Sequence, residues 1–231
     1  GNVGDDFSHW GLHISPDLDT LMYTLAGVAD PDRGWGRAQE SWTVLNTLSD
    51  LGGIDWFRLG DRDLAVHLER SVRMGEGETL SAVTRHLCRA FGVTATLVPP
   101  TDDEVRTIID TTDRTLSFQE YFVRERCEPP VTGLRYQGAS QATLLPEIGR
   151  LLAGDRLEAV ILCPSNPYLS LDPILEIADL RHRLAASPAP VVAVSPLIQS
   201  HAFKGPTAKI MMELGCAVST LTVAQHYADI L

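Results

Sequence analysis

Little in this sequence points to thiol chemistry, to membranes or to nucleic acid. Its 4 cysteines (Cys88, Cys127, Cys163 and Cys216) stand far apart and form no CxxC pair. That spacing gives no sign of a zinc site or a disulfide frame, and the thiols read as isolated and reduced, as in a cytoplasmic protein. No apolar run approaches the ~20 residues needed to span a bilayer, and no signal-peptide pattern opens the chain. Basic residues are scarce: 19 Lys and Arg face 30 Asp and Glu, a net charge of −11. This balance argues against a nucleic-acid-binding surface, while leaving room for a local basic loop that holds phosphate. There is no GxSxG elbow, Walker A loop or GxGxxG fingerprint. The 7 histidines form no convincing metal-ligand constellation and read mostly as surface or structural groups. An initiator Met is also absent. The opening residues read as the end of a strand entering a loop, with a strand and loop expected upstream.

What is present is acidic and concentrated early. Gly4-Asp5-Asp6 is followed shortly by Ser15-Pro16-Asp17-Leu18-Asp19-Thr20. In so acidic a chain, clustered carboxylates repel one another. A bound cation, or a ligand rich in hydroxyl and amide donors, would relieve that repulsion. Otherwise the composition is that of an ordinary globular protein, 44% hydrophobic and 21% charged over 231 residues. It suits a single α/β domain over 1–231, with residues 40–137 as a possible inserted helical and β subdomain.

Ser15 as N-cap and Pro16 at the first helical position predict a helix over Leu18–Ala26. Further helices are expected over Gln39–Leu51, Asp61–Met74 and Thr79–Phe91, the last capped by Thr79 and stopped by Gly92. Strands are expected over Val93–Val98, Val105–Ile109, Thr115–Val123 and Val131–Gln137. From Pro146 helices alternate with the short apolar runs Leu157–Cys163 and Pro190–Val194, which suit strands covered on both faces. The expected class is α/β, an open, mainly parallel sheet with helices on both faces. Ligands in such sheets sit beyond the carboxyl ends of the strands.

The candidate site residues each carry a plainer alternative. Asp5 and Asp6 read as a metal or substrate-hydroxyl site, or simply as a turn. Asp17 suits the positive helix end, whereas Asp19 on the same face as Ser15 is better explained as a ligand contact. Arg58, set among aromatics before Gly60, reads equally as a ligand-facing cation or a surface residue. Arg62 and Asp63 read as solvated first-turn residues of a helix that Gly60-Asp61 begins. Ser165 and Asn166, in a compact turn after a strand, could orient a nucleotide. Lys204 and Gly205 stand before a helix start, where free N–H groups favour phosphate.

Together these segments resemble the 2-phospho-L-lactate transferases of deazaflavin coenzyme (F420) biosynthesis. The resemblance runs through Asn2-Val3-Gly4-Asp5-Asp6, SPDLDT (15–20), Gly34-Trp35-Gly36, LGDRDLA (59–65), Phe118-Gln119-Glu120, Pro164-Ser165-Asn166-Pro167 and Lys204-Gly205-Pro206. It implies a Rossmann-like α/β fold, a homodimer and a Mg²⁺-dependent transfer. The implied acceptor is the 5-deazariboflavin precursor Fo, and the donor a guanosine diphosphate ester of phospholactate or phosphoenolpyruvate. Asp19 and Asp6 would be catalytic; Asp5, Asp6 and Asp19 would form the metal neighbourhood. Asp19 and Arg58 would contact the deazaflavin; Ser165, Asn166, Lys204 and Gly205 would hold the nucleotide. The chain departs from the family in lacking its N-terminal glycine-rich loop and C-terminal portion. It departs again at Asp172 and at Gln199-Ser200-His201-Ala202. Asp172 and His201 are expected either to favour a hydroxyl-bearing acid in the donor or, for Asp172, only to cap the helix at Pro173. The alternatives are a non-catalytic nucleotide-binding or regulatory module and a phosphotransferase with another acceptor.

Overall fold

The computed structural model describes residues 1–198, 201–202 and 205–231. A short antiparallel hairpin, β1 (Phe7–His9) and β2 (Leu12–Ile14), leads into helix α1 (Pro16–Leu25). Helices α2 (Thr43–Asp50), α3 (Asp61–Gly75) and α4 (Leu80–Ala90) follow. Next comes an antiparallel sheet of β3 (Arg106–Thr111), β4 (Thr115–Ser117) and β5 (Val131–Gln137), with β3 in the middle. Beyond α5 (Pro146–Ala153), strand β6 (Val160–Leu162) pairs in parallel with β7 (Val191–Ala193). Between these two strands lie α6 (Asp172–Leu175) and α7 (Leu180–Ala185). A small antiparallel pair, β8 (Leu197–Ile198) and β9 (His201–Ala202), precedes α8 (Thr207–Glu213) and α9 (Thr220–His226).

The class is α/β, as expected. Parallel pairing among the described residues is confined to β6–β7, joined through α6 and α7 in the βαβ manner. One continuous core runs from Leu18, Met22 and Tyr23 of α1 through Val83 and Leu87 of α4 and Ile109 of β3 to Leu162, Leu175 and Ile210. Thr79 caps α4 as expected, its side chain accepting from the Ala82 N–H.

Four local expectations fail, each for a physical reason. Residues 93–98 form no strand; Val98 instead gives its carbonyl to the Gly1 amino group at 3.0 Å. The expected strand over Thr115–Val123 ends at Ser117, and Glu120–Arg124 wind into a single π-helical turn. Glu120 stops the strand by accepting from both the N–H and the hydroxyl of Ser117. The second helix starts at Thr43 rather than Gln39, because Glu40 is engaged elsewhere: its carboxylate accepts from the Arg62 and Asp63 N–H groups at the start of α3. Asp61 reciprocates, accepting from the Thr43 and Val44 N–H groups that open α2. Finally, β6 and β7 bury only one face, since Ile161 is 63% and Val192 49% exposed on the other.

Candidate active site

The acidic turn is held from three sides. Asn2 takes the Gly4 N–H on its side-chain carbonyl at 2.8 Å, and the Gly4 carbonyl accepts from the Thr107 N–H of β3 at 2.7 Å. The Gln119 amide donates to the Asp5 carbonyl at 3.2 Å, so the π-helical turn after β4 exists where it can support this loop. The Asn2 amide donates to the Leu169 carbonyl and, at 3.3 Å, to Asp5 Oδ1. Asn2 thereby ties the acidic turn to Leu169, three residues beyond Asn166, whose side chain caps the Leu169 N–H.

Asp5, Asp6 and Asp19 are all buried. Ser15, expected as a helix cap, makes no side-chain cap; its hydroxyl donates to Asp6 Oδ2 at 2.8 Å. His13 Nε2 stands 3.1 Å from the same oxygen and is 24% exposed, so it links Asp6 to the surface. Asp19 forms a buried ion pair with Arg70, and its Oδ2 lies 3.6 Å from His67 Nδ1. Among the described residues, Asp6 Oδ1 and Asp19 Oδ2 have no hydrogen-bond partner. Unpartnered buried acceptors are costly, and each can be satisfied by a cation or a ligand donor.

Charge follows from this packing. Burial, then the Asp17 and Asp6 carboxylates, push the Asp5 carboxyl well above the usual carboxylate range. Burial also raises Asp6, although His13 and Ser15 oppose it. Asp17, in the first turn of α1, is raised by burial as well, with Asn2 opposing. Burial acts to lower the Arg70 pKa, but Asp19 outweighs it and leaves the guanidinium above its ordinary value.

Aromatic residues flank the acids. Phe7 packs edge-on against Phe57 with ring centroids 4.7 Å apart, and His9 lies within 6 Å of Trp10, Trp56 and Phe57. Arg58 continues this segment; it is exposed and lies 4.8 Å from the Trp42 ring centroid. Among the described residues it makes no ion pair with the acids.

The expected nucleotide residues divide. Asn166 acts first as a cap, its Oδ1 accepting from the Tyr168 and Leu169 N–H groups; its buried Nδ2 has no partner among the described residues. Ser165 is half-buried next to it. Gly205 is exposed with φ +71° ahead of α8. Lys204 lies outside the described residues. Asp172 is not free to meet a donor's acid group: it accepts from Arg181 at 3.1 Å, faces His226 Nε2 at 2.8 Å and has the Tyr136 hydroxyl at 3.4 Å. It is the first residue of α6, behind Leu171 at the N-cap, and its carboxylate meets side chains and no backbone N–H of the helix.

Sequence reasoning missed the support that α3 gives to these acids. Asp63, read as a solvated first-turn residue, is buried and takes the Tyr23 hydroxyl at 2.6 Å. His67 and Arg70 are buried with it. The available signal was their spacing, which puts three polar residues on the helix's buried face. Among the described residues no three His, Cys, Asp or Glu side chains stand together at metal-binding spacing.

The family model for 2-phospho-L-lactate transferase CofD matches residues 1–230. A phosphoenolpyruvate transferase of Mycolicibacterium smegmatis is 41% identical over 233 residues, covering 98% of this chain and 71% of that one. Proteins of the same name are similar in Mycobacterium leprae (39% over 233 residues; 98% and 69% covered) and Thermobifida fusca (41% over 237; 100% and 72%). In fold alone, a crystal structure of Bacillus halodurans protein BH3568 is similar, with a TM-score of 0.54 at 11% identity over 86% of this chain and 61% of that one. No helix among the described residues is long and apolar enough to cross a membrane. The chain belongs to the 2-phospho-L-lactate transferase CofD family, transferases of coenzyme F420 biosynthesis.

Proposed function

We propose that this chain transfers a phospho-three-carbon acid from a guanosine diphosphate ester to the terminal ribityl hydroxyl of the deazaflavin Fo, releasing GMP. The hydroxyl oxygen bonds to the phosphorus bearing the acid, and the bond from that phosphorus to the oxygen bridging to GMP breaks. The hydroxyl proton leaves to a nearby carboxylate, and GMP carries away the bond's electron pair. Such transfers need positioning and charge neutralisation more than covalent catalysis.

The observation that carries this reading is the pair of buried oxygens without a hydrogen-bond partner among the described residues, Asp6 Oδ1 and Asp19 Oδ2, in an acidic neighbourhood that Asn2 ties to Leu169, three residues beyond Asn166. One would orient the attacking hydroxyl. The donor set also fits Mg²⁺, which needs only one or two carboxylates when substrate phosphates and water complete its shell. Since no three acids stand together at metal-binding spacing among the described residues, one or two of Asp5, Asp6 and Asp19 would hold it, and it would neutralise charge on the diphosphate. Asn166 Nδ2, unpartnered among the described residues, would donate to the nucleotide, with Ser165, Lys204 and Gly205 as further contacts. The aromatic wall of Phe7, His9, Trp56 and Phe57, with Arg58 at its end, suits a flat ring. Relatives named phosphoenolpyruvate transferase favour enolpyruvate as the acid. The occupied Asp172 carboxylate removes the argument for a hydroxyl-bearing one. A homodimer in the cytoplasm is the expected working form.

The test is a competition among guanylated phosphoenolpyruvate, phospholactate and phosphoglycerate with Fo and Mg²⁺, following GMP release and Fo fluorescence. Enolpyruvyl product in excess is expected. Absence of saturable Fo binding would refute the deazaflavin acceptor, and binding without GMP release would favour a regulatory module.

A further inference from the structure

Helix α3 carries a polar stripe on the face it buries. Asp63, His67 and Arg70 follow one another at helical spacing, and side chains so spaced share one side of the helix. All three are buried, beside Leu64 and Val66. The stripe runs from one residue to the next, through hydrogen bonds at Tyr23–Asp63, His67–Arg70 and Arg70–Asp19 and through proximity alone between Asp63 and His67. The Tyr23 hydroxyl of α1 donates to Asp63 Oδ1 at 2.6 Å, and His67 Nε2 lies 3.3 Å from that same oxygen. His67 Nδ1 is 3.1 Å from Arg70 Nη1. Since Arg70 can only donate, Nδ1 is the accepting nitrogen and Nε2 carries the hydrogen, near Asp63 Oδ1 but not hydrogen-bonded to it. Arg70 Nη2 then reaches Asp19 Oδ1, while its Nη1 also approaches the His13 carbonyl at 3.5 Å.

The result at Asp19 is asymmetric. One carboxylate oxygen is clamped by the guanidinium, and the other, Oδ2, has no hydrogen-bond partner among the described residues and lies 3.6 Å from His67 Nδ1. The clamp comes from a helix rather than a loop, and the arginine itself is fixed from two sides. A buried set of charges is a poor device for stability, because well-packed apolar residues commonly do as well or better. What this set supplies is direction. We infer that Arg70, held by the Asp63–His67 part of the stripe, is a positioning residue that aims Asp19 Oδ2 at the reacting group. The inference rests on Asp19 acting in the transfer.

The test uses Arg70→Met, Arg70→Lys and Asp19→Asn, with folding followed by circular dichroism and turnover by GMP release under saturating Fo and donor. Misplacing a reacting group by about an ångström costs on the order of 100-fold. Arg70→Met is therefore expected to lower kcat by roughly that factor while KM for both substrates stays within about threefold, the pattern of an interaction lost only in the transition state. Lysine keeps the charge but cannot meet Asp19 and His67 through two separate planar nitrogens. Arg70→Lys is expected to fold and to recover only part of kcat, again at unchanged KM. If Arg70→Met fails to fold, the lysine variant decides: full kcat in Arg70→Lys overturns the inference. So does a folded Arg70→Met with ordinary kcat, or a rise in KM alone. Loss of turnover in Asp19→Asn beside a fully active Arg70→Met would refute the positioning role only. Full activity in Asp19→Asn would refute the reading of Asp19 itself.

Discussion

Gly4→Ala is expected to lower both the stability of the protein and its turnover. A Cβ at Gly4 would stand 2.6 Å from Pro173 Cβ and 2.6 Å from Thr107 Oγ1. Neither neighbour yields easily: Pro173 is a buried residue of α6, and Thr107 is fixed in the central strand of its sheet. Gly4 cannot retreat either, because its N–H is bound to Asn2 Oδ1 and its carbonyl to the Thr107 N–H. The loop carrying Asp5 and Asp6 must move instead. Overpacking of this kind costs roughly 1–3 kcal/mol, and each kcal/mol lowers Tm by about 2–4 °C in a chain of this size. Displacing the acids should cost kcat more than tenfold, because transfer depends on positioning at the ångström scale. Differential scanning fluorimetry and GMP release measure the two effects. A variant with unaltered Tm would show that the loop has room the structure does not provide.

The sequence was most legible where a short signal acted alone. Helices α1, α3 and α4 combine a strong apolar period with a Pro, Gly or Thr at the start, and each appears within two residues of expectation at either end. Asp5, Asp6 and Asp19 were recognisable because clustered acids conflict with the chain's charge, and the structure places them in one buried neighbourhood. Legibility failed where a side chain serves a distant partner. Ser15 looks like a cap yet bonds Asp6, Glu40 looks helical yet caps α3, and Gln119 looks like a strand residue yet anchors Asp5. Local pattern cannot show such assignments, because tertiary contacts override propensity. Arg70 is the instructive miss. Its place on the apolar period of α3 was readable, but only the position of α1 reveals that Asp19 waits opposite.

Mg²⁺ is expected to raise the Tm of this protein at neutral pH, and Asp5→Asn is expected to raise the Tm of the metal-free form. Both follow from the sign of the carboxyl shifts. Burial raises Asp5, Asp6 and Asp17 above their ordinary values, with Asp17 and Asp6 adding to the effect on Asp5. A carboxyl whose folded pKa is raised binds more protons in the native state than in the unfolded chain. Its stabilising contribution is complete below the ordinary value of about 3.9 and is lost as pH rises through the folded value. The metal-free protein should therefore be more stable near pH 5 than near pH 8. A cation that binds only the folded protein offsets that loss, by about 2.7 kcal/mol when present at 100 times its Kd. Asp5→Asn keeps the oxygen that accepts from Asn2 and leaves the backbone carbonyl that accepts from Gln119, so the loop retains its supports. It removes one charge from the conflict, so it should raise Tm without metal, flatten the pH dependence and shrink the gain from Mg²⁺. Thermal melts from pH 5 to 8, in chelator and in MgCl₂, read all three. If Mg²⁺ leaves Tm unmoved throughout, the carboxylates do not form its site. If Asp5→Asn lowers Tm in chelator, the buried charge is compensated within the fold, and the two unpartnered oxygens at Asp6 and Asp19 lose their link to a cation.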